Sequence, residues 1–414
     1  MFTAALIITP AIQSAAQQQP KDSVARDVVQ VAPADEQGLS EKQLLGKRIF
    51  EDRRLSEPEG VACASCHEAK KAFQGDNNSH VQGVASSSRP GVFGDRNVPP
   101  LVYAAFVPQF GYIEQKDRKT GEIKIVPAGG LFWDGRAADL QQQVEGPLLN
   151  KREMNNPSKA VVVEKIRKGP YADLARKVAG PALDTDDAAF AALAAAVVEF
   201  EKTPRFSPFN SKFDAFLQGR ETLSPLEQKG FALFKDPEKG NCIACHDGKP
   251  ESRNPRDWMF TDFTYDILGA PRNRRISDTK VAGYFDPGLC KRPDLLKGAP
   301  DDFKPESVCG AFRVPTLRNI AVTSPYMHNG VFAKLRDAVA FYFTRDTNPG
   351  RWYARDRKGR TIKFDDLPES WRENANVEEI PYDRKPGEKP RATEAEIDAL
   401  VAFLQTLTDR PTAP

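Results

Sequence analysis

The motif Cys-x-x-Cys-His occurs twice in this chain, and it limits the possible folds more than any other feature. Its residues are Cys63, Cys66 and His67 in the first copy and Cys242, Cys245 and His246 in the second. Two thiols one helical turn apart can bond to the two vinyl groups of one porphyrin, and the adjacent histidine then supplies the proximal ligand of the iron. One copy alone could be half of a zinc site, but the two copies use half of the 4 histidines in the chain. We therefore expect two covalently bound c-type haems.

The segments that precede the two motifs also repeat. Each begins with a capping box, in which a serine is followed three residues later by glutamine or glutamate, at Ser40 and at Ser224. A glycine lies six residues after each serine and a phenylalanine four residues after each glycine; these residues are Gly46 and Phe50, then Gly230 and Phe234. The matched offsets predict a helix before each haem-binding loop. They indicate a duplicated, all-α fold of two cytochrome c-like haem domains with long loops.

The 414 residues of the chain are enough for two domains. An alanine-rich helix is predicted to begin after Thr185 and to end before Pro204, and a capping box of Thr393 and Glu396 predicts a last helix near the C-terminus. We place the domain boundary shortly after Pro204, ahead of the second repeated segment. The predicted haem domains are residues 39–205 and 206–414.

The start of the chain is interpreted as an export signal. Residues 4–12 form a short apolar run, and the small residues after it fit cleavage by signal peptidase after Ala16. No lysine or arginine precedes the run, so a disordered N-terminus is the alternative. We favour an export signal over residues 1–16 because the cysteine chemistry belongs outside the cytosol, and we expect a periplasmic protein. Residues 17–38 are polar and are predicted to be a flexible lead-in.

Charge and hydropathy argue against two classes of partner. Lysine and arginine number 59 against 57 aspartates and glutamates, so the net charge is only +2. Binding to nucleic acid needs a basic excess, and we expect no nucleic-acid partner. The mean hydropathy is −0.52, and the chain lacks an apolar run of about 20 residues, so we expect no transmembrane span in the mature protein.

Two cysteines lie outside the motifs, at Cys290 and Cys309. They occupy a segment rich in proline and aspartate, with no histidine nearby. In an exported protein the simplest interpretation is a disulfide bond between them. Two free buried thiols are the alternative.

Several longer strings point to a family. They are RN at residues 96–97, FWDGR at 132–136, GP at 146–147, EM at 153–154, VPTLRN at 314–319 and SPYMHNG at 324–330. In identity and spacing the chain resembles the bacterial di-haem cytochrome c peroxidases, and within them the MauG-like branch, over about residues 39–407. Each string alone would be weak, but their combination with the two haem motifs is specific.

The resemblance implies that the N-terminal haem reacts with peroxide and that the C-terminal haem exchanges electrons. It gives Glu153 the role of the distal acid–base residue, because cleavage of H₂O₂ needs a group that moves a proton between its two oxygens. Gln143 and Pro147 match neighbours in the distal pocket. Trp133 matches a tryptophan between the two haems, whose indole can relay an electron. The alternatives without a functional role are that Glu153 is a surface charge and that Trp133 is an aromatic residue of the core.

The resemblance also implies a calcium site. Asn97, Thr323 and Pro325 match its ligands, through one amide oxygen and two backbone carbonyls. Oxygen ligands suit a hard cation such as Ca²⁺.

The sixth ligand of the second haem separates the branches of the family. Ordinary members use a methionine late in this domain, and Tyr342 aligns with it, as a tyrosine does in MauG-like proteins. Met327 is the rival ligand. At the first haem, His80 lies 13 residues after His67 and could be the histidine that ordinary members place there. We interpret His80 instead as an exposed loop residue, which leaves the first haem open.

These expectations combine into one function. The protein is expected to be a periplasmic di-haem peroxidase that reduces H₂O₂ with electrons from a small redox protein or from an aromatic side chain of a partner protein. The alternative is a non-enzymatic di-haem cytochrome that only transfers electrons. Glu153 and Gln143 favour the enzyme, because a pure carrier has no use for an acid near an open iron.

Overall fold

The computed structural model describes residues 36–116 and 121–411 together with Met1. The predicted export signal and nearly all of the lead-in lie outside the described residues. From Leu39 onward the chain forms one compact unit, which contains both Cys-x-x-Cys-His motifs. Among the described helices, none is both long enough and apolar enough to cross a membrane.

Helices make up most of the regular structure. Those of the first half are α1 (Glu41–Glu51), α2 (Cys63–Cys66), α3 (Leu140–Leu149), α4 (Lys159–Arg167), α5 (Ala172–Ala179) and α6 (Asp186–Glu201). Those of the second half are α7 (Lys212–Leu217), α8 (Pro225–Lys235), α9 (Leu335–Thr344) and α10 (Glu394–Gln405). Short 3₁₀ turns and long loops connect them.

The predicted helix starts are confirmed. Ser40, Ser224 and Thr393 each begin a helix with a complete capping box. Thr185 is the N-cap of α6 as expected, but its side chain makes no capping hydrogen bond. The sequence therefore marked the helix starts correctly, although not every capping contact.

The repeat in the sequence corresponds to a repeat in the packing. Helix α1 packs against α6 at Gly46, where a Cβ atom would lie 2.9 Å from the Cβ of Phe200 and would overlap the backbone of α6. Helix α8 packs against α10 at Gly230, where a Cβ atom would lie 2.8 Å from the Cβ of Phe403. Each glycine thus permits a close helix crossing that a side chain would prevent.

In the described part of the chain, three two-stranded antiparallel ribbons were not predicted. They pair β1 (Val84–Ser86) with β2 (Phe93–Asn97), β3 (Gly111–Lys116) with β4 (Ile123–Ala128), and β5 (Tyr265–Asp266) with β6 (Phe312–Arg313). The all-α expectation is correct in its coarse form, since the chain is mostly helical, but the ribbons correct it in detail. The isoleucines at 113, 123 and 125 carry the β-branched alternation that predicts the longest of them.

The buried apolar residues form separate clusters in the two halves. One cluster draws its buried members from Leu45 to Phe206, and another draws them from Phe213 to Leu407. The predicted boundary between residues 205 and 206 falls at the very end of the first range, because Phe206 still belongs to the first cluster. The division into two haem domains stays a prediction, because both clusters belong to one compact unit.

Candidate functional site

The first motif forms the single turn α2, with His67 directly after it. The Nδ1 of His67 lies 2.8 Å from the carbonyl oxygen of Phe73. A carbonyl can only accept a hydrogen bond, so Nδ1 carries the proton and Nε2 keeps the free lone pair that an iron ligand needs. Burial lowers the pKa of His67 to about 4, which keeps the ring neutral near pH 7.

The second motif repeats this arrangement. Cys242–Ala244 forms a 3₁₀ turn, and the Nδ1 of His246 lies 3.1 Å from the carbonyl oxygen of Phe260. Burial lowers the pKa of His246 to about 4 as well. The same tautomer therefore presents Nε2 in both halves.

The four cysteines of the motifs form no disulfide bond. Burial raises the pKa of Cys63 and of Cys242 to about 12, so these thiols are neutral in the protein chain alone. Thioether bonds to a porphyrin remove such thiols without leaving a buried charge. The four thiols and the two Nε2 atoms thus fit two covalently attached haems.

A mostly apolar cavity adjoins the second motif. Cys242, Cys245 and His246 line it, together with residues of both halves of the chain. Tyr342 of α9 and Met327 both line this cavity, so the structure brings the two candidate sixth ligands to the same place. Burial raises the pKa of Tyr342 above its usual value, and the nearby thiols of the second motif add to the effect.

Glu153 lies in the turn that follows α3. Its backbone N–H donates to the carbonyl of Asn150 at 2.9 Å, and the side-chain amide of Asn150 donates to Oε1 of Glu153 at 2.6 Å. Burial raises the pKa of Glu153 above its usual value. Burial, with the negative charge of Glu153 as the next contribution, raises the pKa of Cys66 to about 12. The structure therefore brings Glu153 to the first haem motif.

The other predicted distal residues lie on α3. Gln143 is buried, and Pro147 follows it one helical turn later. The backbone N–H of Met154 donates to the carbonyl of Pro147 at 3.1 Å, which ties the Glu153 turn to the end of α3. Asp139 caps the start of this helix through the N–H of Gln142 at 2.9 Å.

Trp133 lies at the contact between the two halves. Its indole Nε1 donates to the carbonyl of Asn97 at 2.7 Å, and its own carbonyl accepts from the N–H of Arg313 at 2.8 Å. Trp133 also lines the cavity of the second motif. An aromatic ring from the first half is therefore placed against the second haem site.

Two of the three predicted calcium ligands are in direct contact. The side-chain amide of Asn97 donates to the carbonyl of Pro325 at 2.7 Å, and both residues line the cavity together with Thr323. An amide oxygen and two carbonyls are neutral donors that suit Ca²⁺. They fit the ion only when the Asn97 amide turns its oxygen, rather than its nitrogen, toward Pro325.

The remaining predicted residues are His80 and the two cysteines outside the motifs. His80 is exposed, as predicted, and its ring packs edge-on against Phe93 with centroids 4.2 Å apart. Cys290 and Cys309 are joined by a disulfide bond.

Sequence reasoning missed several charged contacts around the site. The guanidinium of Arg96 contacts Asp286 of the second half at 2.7 Å and Asp134, next to Trp133, at 2.6 Å. Arg136 stacks on Phe132 at 3.6 Å and lowers the pKa of Glu153 against the larger effect of burial. The strings RN and FWDGR contained most of these residues, but a contact between residues 96 and 286 has no local signal.

A loop of the second half contacts the turn that carries Glu153. Arg152 donates through Nη2 to Asp278 at 2.9 Å and also makes a second hydrogen bond to that carboxylate. The backbone carbonyl of Glu153 accepts from the N–H of Ser88 at 2.9 Å. The distal carboxyl is thus supported from both halves of the chain.

Comparisons with known proteins identify the family of the chain. Residues 40–222 match the family model for di-haem cytochrome c peroxidase. The chain is 36% identical over 395 residues to the methylamine utilization protein MauG of Paracoccus denitrificans (strain Pd 1222), covering 93% of this chain and 92% of that protein. It is 30% identical to the cytochrome c551 peroxidase of Pseudomonas aeruginosa, over 75% of this chain and 74% of that one.

Solved structures give the same result. The diheme peroxidase BthA from Burkholderia thailandensis E264 is 40% identical, with a TM-score of 0.79, over 89% of this chain and 86% of that one. A MauG-like protein associated with microbial copper homeostasis is 26% identical, with a TM-score of 0.59, over 91% of this chain and 92% of that one.

The fold and the paired haem motifs define a di-haem peroxidase. The chain belongs to the di-haem cytochrome c peroxidase family, on its MauG-like branch, which confirms the resemblance. It is an H₂O₂-dependent haem oxidoreductase.

Proposed function

We propose that this protein is a periplasmic peroxidase in which H₂O₂ reacts at the His67 haem while the His246 haem exchanges electrons. The two motifs have different neighbouring residues, and this difference supports the division. Glu153 lies close enough to the first motif for its charge to affect Cys66, whereas Tyr342 and Met327 line the cavity of the second motif. A bound c-type haem supplies the iron that binds peroxide and accepts or donates electrons.

The single observation that carries the proposal is the placement of Glu153. Asn150 donates to its Oε1, and this hydrogen bond holds the carboxyl group in place while Oε2 accepts no hydrogen bond from the described residues. As a carboxylate, Glu153 takes a proton from one oxygen of H₂O₂ and returns it to the other, so that the leaving oxygen departs as water. The overall reaction consumes two electrons and two further protons for each H₂O₂ and produces two waters.

Trp133 is proposed to conduct electrons between the two halves. Its hydrogen bond to Asn97 and its contact with the cavity of the second motif hold the indole in one position. A calcium ion at Asn97, Thr323 and Pro325 would lie directly beside this path. The ion would replace the present amide–carbonyl hydrogen bond and fix the backbone on which Trp133 rests.

Tyr342 is proposed as the sixth ligand of the second haem, with Met327 as the rival. Tyr342 lines the same cavity as Cys242 and Cys245, which supports a phenol oxygen close to the porphyrin site. Met327 lies in a turn with a φ of +72°, and its carbonyl accepts from the Asn97 amide at 3.2 Å. A phenolate ligand favours oxidised iron, which suits a haem that holds an oxidising equivalent.

The electrons are proposed to come from a partner of one of two kinds. The first is a small periplasmic redox protein, as the names of the cytochrome c551 peroxidases suggest for those proteins. The second is an aromatic side chain of a partner protein, which the reaction would modify. A modified tryptophan or tyrosine in a captured partner would identify the second kind.

The test is the substitution Glu153→Gln. It should keep both haem spectra and slow the reaction with H₂O₂ by roughly 10²–10⁴-fold, as measured by stopped-flow spectroscopy. Because the pKa of Glu153 is raised, the rate of the unchanged protein should fall as the pH falls through that raised value, and Glu153→Gln should lose this dependence.

Glu145→Gln on α3 is the matched control, since Glu145 is also partly buried and contacts Gln141 instead. It should react with H₂O₂ at the unchanged rate. A Glu153→Gln protein that reacts as fast as the control would remove Glu153 from the mechanism. Absence of any peroxide reaction in the unchanged holoprotein would favour the alternative, a di-haem cytochrome that only transfers electrons.

A further inference from the structure

One arginine that lines the cavity forms no salt bridge with a carboxylate of the described residues. Arg313 lies on β6, opposite Tyr265 on β5, and lines the cavity of the second motif. Its Nε is fully buried and has no hydrogen-bond partner. Burial lowers the pKa of its guanidinium, and Tyr265 is the one group that acts in the other direction.

Four other arginines of the interior differ from Arg313 because each contacts a carboxylate. The pairs are Arg318 with Asp214, Arg345 with Asp346, Arg272 with Asp366 and Arg96 with Asp286. No carboxylate of the described residues lies within ion-pair distance of Arg313, which forms none of the salt bridges of this part of the chain. A guanidinium whose Nε is buried without a partner is unfavourable, and an anion in the cavity would complement its charge.

The chemistry of the cavity identifies the anion. A porphyrin attached at Cys242 and Cys245 carries two propionate side chains, and it must occupy the cavity that Arg313 lines. A planar guanidinium matches a carboxylate with two parallel hydrogen bonds. We propose that Arg313 binds a propionate of the second haem.

This contact would tie the second haem to Trp133. The backbone N–H of Arg313 donates to the carbonyl of Trp133 at 2.8 Å, so one residue would hold both the propionate and the indole-bearing segment. The positive charge of Arg313 also disfavours ferric relative to ferrous iron, which raises the reduction potential of the second haem. Arg313 is therefore a binding residue that sets both the position and the potential of that haem.

The test uses the di-haem holoprotein and the substitutions Arg313→Met, Arg313→Gln and Arg313→Lys. Resonance Raman spectroscopy should show the propionate bending bands shifted in the Met and Gln variants. Spectroelectrochemistry should show the potential of the second haem shifted downward in both and retained in Arg313→Lys, which keeps the charge. Arg313→Gln keeps a polar side chain, so the propionate bands and the potential can be measured in this variant even if Arg313→Met does not fold.

Arg292→Met is the matched control. Arg292, like Arg313, lowers the pKa of Tyr265 through its charge, but it stacks on Phe110 and pairs with Asp294 at 2.8 Å outside the cavity lining. It should leave the propionate bands unchanged. Unshifted bands in Arg313→Gln, or an equal shift in the control, would overturn the inference. The inference rests on the second haem of the proposed function, but neither readout uses peroxide, so loss of peroxidase activity would not count against it.

Discussion

The two halves of the chain have the same haem-attachment motif and the same helix crossing, but different residues surround the motif in each half. In each half an opening helix crosses a closing helix at a glycine: Gly46 of α1 lies against α6, and Gly230 of α8 lies against α10. In each half the histidine of the motif donates its Nδ1–H to a backbone carbonyl. The attachment and the proximal ligand are therefore alike, and the difference in chemistry must come from the residues on the other side of each porphyrin.

One difference lies on the closing helices themselves. The glycine contacts pair Phe200 of α6 with Phe403 of α10, so Glu201 occupies the position that Leu404 has in the second half. Leu404 lines the second cavity, whereas Glu201 is 3% exposed and its Oε2 has no hydrogen-bond partner. Burial raises the pKa of Glu201 to about 8. The first half thus keeps a neutral carboxylic acid where the second has a hydrocarbon.

Substitution of the glycine at the helix crossing of either half should have the largest effect on stability. Gly46→Ala and Gly230→Ala should each destabilise the holoprotein by about 1–3 kcal/mol or more, because the new Cβ overlaps backbone that cannot move aside. Chemical unfolding followed at the haem bands measures this. Lys42→Ala and Lys229→Ala, exposed on the same helices, should be nearly neutral. A stabilised glycine variant would show that helix propensity outweighs the crossing.

Replacing Glu201 with leucine, the residue at the equivalent position 404 of the second half, should stabilise the first half. The folded pKa of about 8 exceeds the usual value of 4.5, so folding retains a proton and the stability of the unchanged protein falls as the pH rises from about 4.5 to 8. Glu201→Leu should remove this loss and gain up to about 3 kcal/mol at pH 7, with little gain at pH 4.5. Unfolding curves at several pH values measure the difference.

Glu199→Leu is the control for that substitution, because Glu199 pairs with Lys202 near the surface of the same helix. It should not change the pH dependence of stability. A Glu201→Leu protein with the same pH dependence as the unchanged chain would mean that Glu201 is ionised when folded.

Substitutions at the helix caps should have the smallest effect on stability in this comparison of the two halves. Thr393 accepts from the N–H of Glu396 in a complete capping box at the start of α10, whereas Thr185 makes no such bond at the start of α6. Thr393→Ala should cost about 1 kcal/mol. Thr185→Ala should stay within about 0.5 kcal/mol of the unchanged protein, as measured by thermal unfolding. Equal losses would show that the two helix starts are equivalent in solution.

The sequence predicted the features that depend on local pattern. The capping boxes and the repeated glycines identified the helices that frame each motif, because hydrogen bonds at a helix start involve neighbouring residues. The alanine-rich helix α6 was predicted from Thr185 and Pro204, but the burial of Glu201 was not, because a charged residue at a helix end ordinarily faces water. Burial of that carboxyl follows from tertiary packing, which local pattern does not report.

The candidate site was predictable in its residues more than in its contacts. Glu153 and Trp133 came from the family strings, and the structure places them near the first motif and the second cavity respectively. The ion pair of Arg96 with Asp286 joins residues 190 positions apart, and the unpaired guanidinium of Arg313 is visible only once its neighbours are known. Long-range electrostatic pairing of this kind leaves no periodic signal.

The central claim is that two like attachment sites differ in their sixth position. Electron paramagnetic resonance of the oxidised holoprotein measures this most directly, in the unchanged chain and in Tyr342→Phe and Met327→Leu. The account predicts one high-spin signal from an open first haem and one low-spin signal from the second. Tyr342→Phe should abolish the low-spin signal and leave the high-spin one, while Met327→Leu should change neither. Two low-spin signals, or loss of the low-spin signal in Met327→Leu but not in Tyr342→Phe, would contradict it.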